Sequence, residues 1–355
     1  MTDPLPPTVP RATPARQAAT LAVATLAGLV AWRVGLPLPW MLGPLILTTA
    51  LSVAGAPLAS PARLRPLMMP VIGVLLGSRI SREVMGQIVD WWPVVALLVP
   101  FLAVTAGLSY LFYRRIGGFD PVTAFFSAMP GGLTDMILLG NEAGGDERRI
   151  ALAHATRILV VICGIVLFFG VVFGVTSTSG GAGWVPFAAL SWLDAAVLVA
   201  CAVLGVPLGR LLHLPARVIM GPMLLSGAVH VAHIVAVPPP SLAVIAAQIV
   251  IGTTIGCRFL GTAAREVGRD MALGVGSSIL MMLSALAFAL IGFRLGGIDL
   301  AQLFLAYAPG GMTEMSLLAL AMGQDVAFVT VLHLARITLV VFAAAPLFRL
   351  VLRRR

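Results

Sequence analysis

The feature that most constrains this chain is a succession of apolar runs, each close to the length of a membrane-crossing helix and separated by short turns. A hydrocarbon core about 30 Å thick asks for about 20 apolar residues per helical crossing. The first half offers such runs near 17–34, 38–56, 66–80, 91–113 and 149–174. The second half offers them near 191–212, 216–236, 241–260, 271–294 and 326–349. Composition agrees. Of 355 residues, 59% are hydrophobic and only 10% charged, against about 25% charged in soluble domains. Such a chain cannot cover a water-facing surface. The expected fold class is therefore an all-α integral membrane protein with about ten transmembrane helices.

The formal net charge is +9, and all 23 basic residues are arginine. They cluster in the turns and at Arg353, Arg354 and Arg355, the footprint of positive-inside topology. A DNA-reading face would instead need a basic patch on a docking motif, so no direct nucleic-acid partner is expected. Cys163, Cys201 and Cys257 lie in or beside apolar runs without paired spacing, and read as buried small hydrophobes. The proline-rich start lacks a small-residue cleavage site and reads as a cytoplasmic tail, residues 1–16.

An internal duplication organises the rest. The segment Met129 to Met136 recurs 179 residues later as Ala308 to Met315. At the same offset His154 and Arg157 recur as His333 and Arg336, and Gly73, Gly77 and Arg79 as Gly252, Gly256 and Arg258. Gly117 to Asp120 matches Gly296 to Asp299. The expected organisation is a first repeat over 17–175, an uncharged linker over 176–189, a second repeat over 190–350 and a basic tail over 351–355. Five spans per repeat, an odd number, would set the repeats in opposite orientations, as in many secondary transporters.

Between the fourth and fifth span of each repeat lies a Pro-Gly-Gly break. Proline followed by two glycines cannot continue a helix, so each segment reads as two arms of about ten residues, each rising about 15 Å. The pair forms either a re-entrant hairpin or one broken crossing helix. The arginine positions favour the hairpin, with both termini in the cytoplasm.

Ionisable residues at membrane depth are functional candidates, because burying one there costs at least about 2.5 kcal/mol. Asp135 and Glu314 follow the breaks by three residues, beside Thr134 and Thr313. A first-turn acid that merely complements a helix dipole is the structural alternative. Pro130, Gly131 and Gly132, with Pro309, Gly310 and Gly311, would expose backbone N–H groups at a helix start, a setting that attracts anions and admits close approach. His154 with Arg157, and His333 with Arg336, share a helix face. Their expected job is to balance the two acids or an anionic solute, with histidine supplying a titratable proton. A snorkelling arginine beside a packed histidine is the alternative. Gly73, Gly77, Gly252 and Gly256 read as helix-packing glycines. His230 and His233 read as facing a helix end.

These motifs resemble the AbrB-type membrane proteins, whose duplicated unit carries P-G-G-[LM]-T-[DE]-M followed by H-x-x-R-[IL]. Here those are Pro130 to Met136 with His154 to Ile158, and Pro309 to Met315 with His333 to Ile337. The resemblance covers nearly the whole chain after the tail. Members are labelled variously as regulators of gene expression or as ammonia monooxygenases. The plan also looks like that of ion-coupled carboxylate transporters, an analogy of fold alone.

The expected function is a secondary transporter or exporter of a small anionic or zwitterionic solute, with its site at the two break tips. The expected setting is the inner membrane of a bacterial-type cell. No catalytic residues, metal or cofactor are expected, and H+ or Na+ is the candidate coupling ion. The expected partners are the solute and the lipid bilayer, with a homo-oligomer as a candidate assembly. Indirect regulation of gene expression is the alternative, followed by a membrane oxidoreductase. The latter would need a copper or iron site that scattered histidines do not supply.

Overall fold

A computed structural model describes residues 13–172, 183–214, 216–261 and 264–352. The ends of both expected tails and half of the expected linker, residues 176–182, lie outside the described residues. In the first half the helices are α1 (Pro14–Arg33), α2 (Pro39–Val53), α3 (Arg65–Gly77), α4 (Arg82–Gln87), α5 (Trp92–Arg115), α6 (Pro121–Ala128), α7 (Leu133–Glu142) and α8 (Glu147–Val172). In the second half they are α9 (Trp192–Leu211), α10 (Arg217–Val231), α11 (Ser241–Gly256), α12 (Ala264–Gly296), α13 (Leu300–Tyr307), α14 (Met312–Ala321) and α15 (Val326–Leu352). No strand occurs among the described residues.

Every apolar run is helical. Among the described residues, seven stretches are long and apolar enough to cross a bilayer: α1, α5, most of α8, α9, α11 with its 3-10 extension to Phe259, most of α12 and most of α15. The runs at 38–56, 66–80 and 216–236 give shorter helices of 15, 13 and 15 residues. At about 1.5 Å per residue these fall short of a full hydrocarbon core. Their starts explain part of the shortening. The residues before α2 and α10, Leu38 and Ala216, take left-handed backbone at φ 47° and 48°, so the helix cannot extend backwards. Large hydrophobic side chains are exposed along these helices, Trp192 at 94% and Phe342 at 76% among them, as a lipid-facing surface requires.

The helices fall into two compact units that cut across the sequence halves. One takes residues 1–81 and 175–267, the other 82–174 and 268–355. In the first unit α3 packs on α10, and α11 packs on α2, so each close pair joins one half to the other. The paired glycines make this approach feasible. A Cβ on Gly73 would stand 2.5 Å from the Ile219 carbonyl oxygen, and one on Gly77 would press into that of Met223. Gly252 and Gly256 hold the same relation to Met41 and Leu45 on α2. The expected packing role of these glycines is what the backbone shows. Ser226 adds a hydrogen bond to the Val74 carbonyl at 2.8 Å.

In the second unit α6 and α7 lie against α8, and α13 and α14 against α15. Two further contacts tie α5 to second-half helices: Tyr307 donates to the Val94 carbonyl at 2.7 Å, and Phe101 meets Phe288 edge-on at 5.5 Å.

Candidate functional site

Both breaks form as the sequence dictates. Asp120 caps α6 by accepting from the Val122 and Thr123 amides at 3.0 Å each, and Asp299 caps α13 by accepting from Ala301 and Gln302. Each helix then stops after 8 residues. Pro130 and Pro309 hold the preceding Met129 and Ala308 in extended backbone, because a proline ring disfavours helical geometry in its predecessor. After Gly132 and Gly311, in extended backbone and without side-chain caps, α7 and α14 run 10 residues each. The arms rise about 12 Å and 15 Å. Each spans at most half a hydrocarbon core.

A stopped helix leaves its last carbonyls without intrahelical partners. Arg157, from α8, donates through Nη1 to the Met129 carbonyl at 3.0 Å. Arg336, from α15, donates through Nη1 to Ala308 and through Nη2 to Gly310, both at 2.5 Å. The two arginines therefore grip matched carbonyls, one residue before each proline. Arg157 also reaches the Met281 thioether at 3.8 Å and hydrogen-bonds the His154 Nδ1 through Nη2. His154 Nε2 donates to the Phe126 carbonyl at 2.9 Å, which assigns the proton to Nε2 and the lone pair to the arginine. His333 instead directs Nδ1 to the Val329 carbonyl one turn back, at 2.9 Å.

Both guanidiniums are buried, at 5% and 3% exposure, and in each Nε has no hydrogen-bond partner. Arg336 lies within direct electrostatic range of Arg157, so two like charges share one interior. Among the described residues neither has a carboxylate within 4.0 Å; the ion pairs there belong to Arg149, with Asp146 and Asp270. The two acids curl back over their own helix starts. A Cβ built on Gly132 would meet Asp135 Oδ2, and one on Gly311 would meet Glu314 Oε2. This is the placement of a dipole-complementing acid. The copies differ: Glu314 is 5% exposed, whereas Asp135 is exposed. Thr313 is buried beside Glu314; the Thr134 side chain lies outside the described set.

Sequence reasoning missed Tyr113. It is buried, stacks on Phe119 at 5.1 Å, interacts with Ser277 and lies in electrostatic range of Arg157. It belongs to no repeated motif, so nothing in the sequence marked it. Arg79 and Arg258, at the ends of α3 and α11, belong to the other unit. His230, in the last turn of α10, donates to the Ser226 carbonyl at 2.7 Å. Among the described residues no three His, Cys, Asp or Glu side chains stand together as a metal-holding group.

Long apolar helices carrying large exposed hydrophobic side chains define a multi-pass, all-α membrane protein. The family model described as "Transition state regulatory protein AbrB" matches residues 40–352, and the chain belongs to this AbrB family. It is similar to "Uncharacterized protein YhjN" of Bacillus subtilis (strain 168), at 25% identity over 351 residues, covering 93% of this chain and 91% of the relative. It is also similar to "Putative regulator AbrB" of Escherichia coli (strain K12), at 24% identity over 323 residues, covering 90% and 91%.

Proposed function

We propose that this protein is a secondary transporter or exporter of a small anionic or zwitterionic solute, bound where the two Pro-Gly-Gly breaks meet the buried arginines. One observation carries the reading. Arg157 and Arg336 place two positive charges in one membrane-protein interior, with carbonyls for partners and no carboxylate beside them among the described residues. Carbonyls take up part of the guanidiniums' hydrogen bonding, leaving each Nε without a partner. They also leave the charge, and a buried charge without a counter-ion is costly. A visiting anion would relieve that cost.

Asp135 and Glu314 oppose an anion unless neutralised, which gives a physical basis for coupling. H+ or Na+ bound at either acid would favour the solute, and the solute would favour the cation. His154 and His333 are the proposed proton-handling neighbours. The halves are proposed as inverted repeats, with both termini on the cytoplasmic side of a bacterial-type inner membrane. A homo-oligomer is also proposed.

The test is uptake into proteoliposomes, guided by untargeted metabolite comparison of deletion and overexpressing cells. A solute whose cellular level follows the protein, and which purified protein moves across vesicles, supports the reading. The name of the Escherichia coli relative favours a second reading, an effect on gene expression exerted indirectly through the level of a transported metabolite. Direct DNA binding at physiological salt would argue against that indirect route.

A further inference from the structure

Buried serines and threonines in these helices mostly satisfy themselves by donating to the carbonyl one turn back. Thr48, Thr253, Ser278, Ser284 and Thr330 do so at 2.6–2.9 Å. Among the described residues, the buried hydroxyls without any partner are those of Ser52, Thr105, Ser109, Ser127 and Thr156. Ser52 belongs to the first unit; the others belong to the second and are at most 1% exposed. These gather at the level of the first break. Ser127 lies two residues before Met129, and Thr156 is next to Arg157, which holds the Met129 carbonyl. On α5, Leu102, Ala106 and Tyr110 pack against the cluster that contains Met129. Thr105 and Ser109 occupy the same turns, on the buried stripe that leads to Tyr113, itself in electrostatic range of Arg157. The Arg157 Nε is likewise without a partner.

The second copy carries no such set. The counterparts of Ser109, Ser127 and Thr156, 179 residues on, are Phe288, Ala306 and Ala335. That of Thr105 is Ser284, bonded to its own helix. Arg336 is buried as deeply as Arg157 and does without these groups, so accommodating a buried guanidinium does not explain them. A hydroxyl buried without a partner is destabilising, and a concentration of them marks a place where hydrogen bonds are made to something that enters. We infer that these hydroxyls bind hydroxyl groups of the solute, and that the solute is a small hydroxycarboxylate with its carboxylate drawn to Arg157. A solute hydroxyl both donates and accepts, as serine and threonine do, whereas the ammonium of a zwitterion would face the Arg157 charge. The inference rests on the transport reading and adds the class of substrate.

The experiment compares uptake of radiolabelled glycolate and acetate, which differ by one hydroxyl, into proteoliposomes containing the full-length wild type, Ser127→Ala or Thr156→Val. The wild type should favour glycolate in kcat/KM by about tenfold or more, because a site built to bond a hydroxyl is left unpaired by the analogue that lacks it. Each variant should bring the ratio back towards one. Each should also melt at or above the wild-type temperature, since it removes an unpaired polar group. Should one variant fail to reconstitute, the other carries the same test. A wild type that moves acetate as readily as glycolate overturns the inference and leaves transport standing. A ratio unchanged in both variants also overturns it: unchanged melting would then assign the hydroxyls to bound water, and lowered melting to structure. Uptake of neither acid removes the inference, and succinate, glutamate and phenylacetate presented in parallel then decide the transport reading on its own.

Discussion

The Arg157 guanidinium donates to the Met129 carbonyl at 3.0 Å, across the point where Pro130 ends a helix. The relation recurs at Arg336 and Ala308, 179 residues on. A cation at the negative end of a helix is favourable, and here it also closes a carbonyl left open where the helix stops. The interaction is structural in form and still leaves net positive charge inside the fold. That remainder is what a ligand would see.

The absence of a carboxylate beside either arginine among the described residues makes the acids separable from them. Asp135→Asn and Glu314→Gln should each cost about 1 kcal/mol of stability or less while stopping transport. Combining them with Arg157→Gln or Arg336→Gln should give additive stability changes, within about 0.5 kcal/mol. Thermal melts of singles and doubles measure this. Unstable acid variants rescued by removing an arginine would instead identify structural ion pairs.

The first unit depends on glycine at the crossings of its two halves. Gly77→Val and Gly256→Val push a side chain into the backbone of α10 and α2, respectively. Each should destabilise by about 1–3 kcal/mol or more, as overpacking does. Gly107→Ala, which meets open space, is the matched control and should be neutral or mildly stabilising. Detergent-solubilised yield and melting temperature would show the contrast, and equal behaviour of the three would refute the packing role.

Asp120 makes the first break sensitive to acid. Partial burial disfavours its charge, but hydrogen bonds from Thr123 and the Val122 amide outweigh that and hold its carboxyl below the usual range. A lowered folded-state value means that the stabilisation is fully present above the unfolded carboxyl range. It is lost as pH falls through the folded value. Asp120→Ala should cost about 1 kcal/mol near neutral pH, with the penalty shrinking in acid. Melts of both proteins across the acid range check it; a pH-independent gap would exclude the charged cap.

Much of this was legible beforehand for identifiable reasons. Proline and paired glycines are local stops, so the helix–break–helix plan of 121–142 and 300–321 followed from chain chemistry alone. The Gly73–Gly77 spacing announced close packing without naming the partner, because the partner is α10, across the duplication. Compact units that mix both halves are equally invisible to local pattern. The acids' posture depended on side-chain rotamers, which only packing reveals.

Inversion of the repeats gives a clean accessibility test. In a cysteine-free background, Glu142→Cys stands at the end of α7 and Gln324→Cys in the loop after α14, at corresponding ends of the two breaks. Opposed repeats require a membrane-impermeant thiol reagent to reach Glu142→Cys from the cytoplasmic side and Gln324→Cys from the other. Labelling of both from one side would remove the inversion.

The most direct measurement is uptake into proteoliposomes containing the wild type, Arg157→Gln or Arg336→Gln. A panel of radiolabelled acetate, succinate, glutamate and phenylacetate would be presented with and without an imposed H+ or Na+ gradient. A transporter built on the paired arginines should accumulate at least one of these anions under a gradient. Either substitution should cut its kcat/KM by about 100-fold, the cost of losing a charged hydrogen-bonding partner for a buried anion. Reconstituted, folded protein that moves none of them above protein-free vesicles, or moves one equally well without either arginine, would contradict the proposed site.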